Sequence, residues 1–111
     1  MTMSIRRGAA AFAVVALLGL PLAAQAENKH VSEAIEHAKG AADHGKQGHA
    51  DAVAQHAEEA LKHAQAAGVK NPHLDEGIKE LKEAVSHGKA GHADVATKHA
   101  EAAVMHLSEV K

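Results

Sequence analysis

An internal repeat constrains this chain more than any other feature: displaced by 43 positions, the stretch from His30 to Gly68 aligns with that from His73 to Lys111. Identities run from His30/His73 and Ile35/Ile78 through His44-Gly45-Lys46 over His87-Gly88-Lys89 and Gly48-His49-Ala50-Asp51 over Gly91-His92-Ala93-Asp94. They continue with His56-Ala57-Glu58 over His99-Ala100-Glu101 and end at His63/His106. Whatever one copy folds into, the other must also adopt, so the architecture is expected to be two like units.

Each unit reads as a pair of helices. Apolar residues recur at alternating steps of four and three: Val31, Ile35, Ala38, Ala42, then Val53, Ala57, Ala60, Ala64, and in the second copy Leu74, Ile78, Leu81, Val85, then Ala96, Ala100, Ala103, Leu107. Between the copies, Gly68 closes one helix, while Asn71 as N-cap, Pro72 at the first helical position and the acids Asp75 and Glu76 open the next. Within each copy the H-G-K-x-G-H stretch is a tight turn, with Gly45 and Gly88 expected in the left-handed conformation and Asp51 and Asp94 at the positive end of the following helix. Helices are predicted at about His30 to His44, His49 to Ala67, His73 to His87 and His92 to Glu109. Short turns make neighbours antiparallel, which predicts an all-α, up-down-up-down four-helix bundle made of two duplicated hairpins, and a monomer. Its inward stripe is mostly alanine, so a thin core and marginal stability without metal are expected.

Upstream, Arg6 and Arg7 precede an apolar run from Ala9 to Ala24 and an Ala24-Gln25-Ala26 site before Glu27, the pattern of a cleavable signal peptide over residues 1–26. Gly19 and Pro21 interrupt the run, which is shorter than the roughly 20 apolar residues of a membrane span, so no stable membrane insertion is expected after cleavage. Residues 27–111 then form the histidine-rich bundle. Both arginines leave with the leader, and the remaining 10 lysines stand against 14 acids, a net −4 that argues against nucleic acid. The chain has no Cys, which excludes disulfides, thiolate sites and covalently attached haem.

Chemistry is concentrated in histidine. Ten of the 11 histidines fall in heptad series: His30, His37, His44; His49, His56, His63; His92, His99, His106; and His87, two heptads after His73, with Glu80 in the gap between. Seven residues advance a helix by about 10.5 Å, so two histidines of one helix cannot chelate one ion. Across a hairpin they can. The residue numbers of His44/His49, His37/His56 and His30/His63 each add to 93, and those of His87/His92, Glu80/His99 and His73/His106 each add to 179, the condition for sitting opposite in antiparallel helices. Six rungs are therefore predicted, with Glu33 before His37, Glu59 before His63 and Glu83 before His87 as nearby carboxylates. Imidazole and carboxylate without sulfur suit Cu(II), Ni(II), Zn(II) and Co(II), with Cu(II) bound most tightly.

One histidine on a helix is ordinarily just solvated or hydrogen-bonded, and Glu/His pairs at this spacing commonly only stabilise a helix. Matched heptads mirrored about two turns are a different matter, and they point to metal ions as the partner. The competing reading is a pH-responsive helical stress protein, since imidazoles near pKa 6.5 would charge together in mild acid and repel. Enzyme readings are weaker, because the alanine core lacks the bulky side chains that wall a haem or substrate pocket.

The two H-G-K-x-G-H turns at 44–49 and 87–92, with Val95-Ala96-Thr97-Lys98-His99-Ala100 after the second, resemble the small metal-binding protein family of bacterial periplasms. The resemblance covers residues 27–111. It implies a periplasmic helical bundle that binds several metals, copper prominent among them, in metal tolerance or trafficking, with the heptad histidines as ligands. Two departures stand out: Glu80 where the repeat expects a histidine, and an end at Glu109-Val110-Lys111 without a histidine-rich tail.

Overall fold

The computed structural model describes residues 22–111, so most of the leader expected over residues 1–26 lies outside the described residues. Four helices follow one another: α1 (Leu22–Lys46), α2 (Ala50–Ala66), α3 (Pro72–Lys89) and α4 (Ala93–Ser108). Each helix packs along two neighbours, α1 on α2 and α4, α3 on α2 and α4, which closes the bundle that the repeat requires. Among the described residues there is no strand, and no helix is long and apolar enough to cross a membrane.

The predicted stripes are buried except at Ile35, Ile78 and Val85, which are only partly so, and Ala34 joins the core beside them. Ala34, Ala38, Ala57, Ala60, Ala96, Ala100 and Ala103 are fully inside, and the largest fully buried side chains are Leu81, Leu107 and Val53. Ile35, Leu61 and Ile78 pack against this core from its margin. A core of methyl groups gains little from burial per residue, but it lets helix axes approach closely.

Helix ends follow local rules with one correction. Asn71 caps α3 by accepting a hydrogen bond from the His73 backbone N–H at 2.8 Å, with Pro72 in the first turn. At the hairpin turns the left-handed residues are Gly48 (φ 84°) and Gly91 (φ 82°), not Gly45 and Gly88. The His49 N–H bonds the His44 carbonyl at 3.0 Å and the Gly48 N–H bonds that of Gly45 at 2.9 Å, the paired bonds of a Schellman cap. His92 with His87 and Gly91 with Gly88 repeat it at 2.9 and 3.1 Å.

Gly45 and Gly88 are instead buried within their helices, for a tertiary reason. A Cβ on Gly88 would lie 2.9 Å from the Ala54 nitrogen and 3.0 Å from the Ala50 carbonyl oxygen of α2. A Cβ on Gly45 would lie 1.8 Å from Thr97 Oγ1 of α4. Position 97 is the repeat counterpart of Ala54, so each hairpin sets its glycine against the same site of the other, a pseudo-twofold docking.

Candidate metal centre

The Schellman caps that end α1 and α3 also position the first pair of rings in each hairpin. His44 supplies the carbonyl and His49 the N–H of one cap bond, and their imidazole centres lie 6.0 Å apart. The equivalent pair, His87 and His92, lies at 5.8 Å. From there the antiparallel helices bring His37 to 6.1 Å from His56 and His30 to 6.1 Å from His63, as the mirrored numbering requires. The Glu80/His99 rung is a hydrogen bond, Glu80 Oε1 to His99 Nδ1 at 2.7 Å, between side chains 26% and 30% exposed. The sixth rung is not drawn together as a ring pair among the described residues; His73 and His106 border one open pocket with Met105 and Glu109.

Closer than the rungs are diagonal contacts that counting residues does not reveal. His37 stacks on His63 at 5.3 Å, His44 on His56 at 4.9 Å and His87 on His99 at 5.3 Å, with ring planes within 10°, 12° and 6°. Each diagonal joins residues one heptad out of rung register. Its cause is the direction of the Cα–Cβ bonds, which tilt toward each helix's own N-terminus. In antiparallel helices the two tilts are opposed, so one diagonal partner leans toward the other and the height difference of about 10.5 Å is shared between two long side chains.

Carboxylates complete three clusters whose donor atoms all lie within 4.8 Å of one another: His30, Glu33, His63; His37, Glu59, His63; and Glu83, His87, His99. Two of the three are built on diagonals. A metal–imidazole bond is about 2.0–2.1 Å, so two donors on one ion stand at most roughly 4.2 Å apart, and small side-chain rotations close these clusters onto an ion. Glu83 reaches His87 Nε2 at 3.6 Å from the preceding turn, as the sequence suggests. Glu33 does not serve His37; its Oε1 lies 3.2 Å from Nδ1 of His63 on the facing helix. His30, three residues before Glu33, shares its face and joins the same cluster.

Local electrostatics favour the neutral form of one ring. His56, between His37 and His44, has its pKa lowered below 6.5, first by burial and then by the charges His44 and His37 would carry, against a smaller upward pull from Glu59. Nδ1 of His30 and Nδ1 of His44 are buried without a hydrogen-bond partner. The rings themselves are half-buried along the hairpin edges, apart from His49, His73 and His92, which are exposed. Imidazoles grouped with carboxylates at ion-sized spacing are a candidate donor set for a metal ion.

Fold and site together define a helical bundle that carries clusters of candidate metal-ligating imidazoles and carboxylates along its two hairpins. The chain belongs to the small metal-binding protein family, whose family model matches residues 3–110. Among curated proteins none matches it.

Proposed function

We propose that this chain binds divalent transition-metal ions reversibly, Cu(II) most tightly and also Ni(II), Zn(II) and Co(II), and that it serves in the periplasm as a scavenger, buffer or carrier of those ions. The observation that carries the reading is the convergence of imidazole and carboxylate donors from successive helices in three clusters. The donor set has no thiolate, and nitrogen with oxygen ligands places Cu(II) at the top of the affinity order. The clusters lie on half-exposed helix edges rather than in a walled pocket, so the role is binding and release rather than catalysis. Release accompanies acidification, because protons compete with the ion for each imidazole. A monomeric, exported protein with a leader over residues 1–26 suits capture of ions outside the cytoplasm.

Calorimetric titration with Cu(II), Ni(II) and Zn(II) near pH 7.5, about one unit above the imidazole pKa, tests this. Several equivalents should bind, Cu(II) most tightly, with a rise in melting temperature for each metal. Absence of both heat and thermal shift refutes the reading. The lowered pKa of His56 also supports acid sensing as a second reading. A protein that only senses protons would lose stability in acid and show no response to metal at neutral pH.

A further inference from the structure

Ring contacts in the first hairpin alternate between its two helices without a gap. They run His30 to His63 at 6.1 Å, His63 to His37 at 5.3 Å, His37 to His56 at 6.1 Å, His56 to His44 at 4.9 Å and His44 to His49 at 6.0 Å. Every interior ring therefore touches two others, and the two donor clusters of this hairpin share His63. Such sites are not separate containers.

We propose that the six imidazoles of the first hairpin form one track of shared ligands, along which a bound ion moves by exchanging a single ring at a time, and that Glu80 cuts the corresponding track in the second hairpin. The inference rests on the metal-binding function proposed above. Rings of one helix are about 10.5 Å apart, so successive ring pairs advance by roughly half that distance. An ion held by His63 and His37 needs only to release His63 and bind His56 to take the next position. One neutral imidazole leaves as another arrives, so the charge is conserved and the ion keeps one protein ligand throughout, with water completing its shell. Ligand sharing in this way avoids full rehydration of the ion between sites.

The second hairpin begins the same way, with His92 to His87 at 5.8 Å and His87 to His99 at 5.3 Å. There the series stops. Glu80 occupies the position that His37 holds in the first copy, and its carboxylate takes His99 Nδ1 at 2.7 Å, which leaves Nε2 as that ring's free donor and holds the ring in place. His73 and His106 lie beyond the break. An ion in this hairpin is confined to the turn end, where Glu83 joins His87 and His99.

The repeat supplies matched positions for a test, His44 and His87. His44→Ala leaves three of the five adjacent ring pairs in the first hairpin, so its first ion should lose less than about 2-fold in affinity. His87→Ala removes both ring pairs of the second hairpin and should cost its ion more than roughly 10-fold, or about 1.4 kcal/mol. Zn(II) titration of the full chain with 15N-labelled histidine, read at each ring nitrogen, follows the hairpins separately, and circular dichroism confirms that both variants remain helical. In His44→Ala the rings of His30, His37, His56 and His63 should still respond; in His87→Ala those of His92 and His99 should not. Adding Glu80→His to His87→Ala should restore the response at His99 and extend it to His106, a rescue that a merely structural role for Glu80 would not produce. If His44→Ala silences the remaining rings of its hairpin, or if Glu80→His rescues nothing, the rings do not stand in for one another and the track is refuted while metal binding stands. If no ring of the unaltered protein responds to Zn(II), the metal-binding function fails and the track with it.

Discussion

Gly45→Ala should destabilise the bundle although alanine is the better helix former, because the cost arises between helices, chiefly across the two hairpins, rather than within α1. The added Cβ would stand 1.8 Å from Thr97 Oγ1, 3.0 Å from Thr97 Cβ and 3.2 Å from Val53 Cγ2, well inside the roughly 3.5–4.0 Å of a comfortable carbon contact. Thr97 Oγ1 donates to the Ala93 carbonyl at 2.7 Å, so turning the hydroxyl away gives up a hydrogen bond of about 1 kcal/mol. Overpacking against Thr97 and Val53 adds about 1–3 kcal/mol, and the helix propensity of alanine returns about 1 kcal/mol. A net loss near 2 kcal/mol lowers Tm by roughly 8–16 °C in a domain of this size. Thermal denaturation followed by circular dichroism, on protein kept metal-free with a chelator, reads the shift. The decisive comparison is Thr97→Ala, which matches Ala54 in the other copy: in that background Gly45→Ala should cost at least 1 kcal/mol less, since about that much resides in the displaced hydroxyl. A Tm that rises with Gly45→Ala, or a penalty unchanged by removing Thr97, would refute the close docking of the two hairpins.

Saturating Cu(II) should clamp facing helices together: at about 100 times its Kd a single site adds roughly 2.7 kcal/mol, visible as a rise in Tm that a strong chelator reverses. His63→Ala removes the ring common to two clusters, leaving five imidazoles in a hairpin that had six, so the saturating number of Cu(II) ions in calorimetry should fall by one. Acidification should weaken the metal-free fold through His56, whose folded pKa lies below its unfolded 6.5. The unfolded chain then binds more protons, so His56 imposes no penalty well above pH 6.5, and stability declines as pH falls from there toward the folded value. Tm measured from about pH 7.5 to 5 should show this decline, and His56→Ala should make it shallower.

Helices, turns and partner helices were legible in the sequence because each is encoded by spacing along the chain. Steps of four and three mark a buried stripe, Asn71-Pro72 a helix start, and the mirrored histidines the antiparallel partners, all of which depend on helical rise and angle alone. The shortest ring contacts, the transfer of Glu33 to His63 and the burial of Gly45 and Gly88 were not legible in this way. They depend on how far side chains lean and how closely alanine-lined helices approach, quantities set between helices rather than along them. The repeat thus determined that two like hairpins would carry facing imidazoles. Tertiary packing decided which rings touch, because the opposed tilt of antiparallel side chains favours the diagonal neighbour over the one directly across.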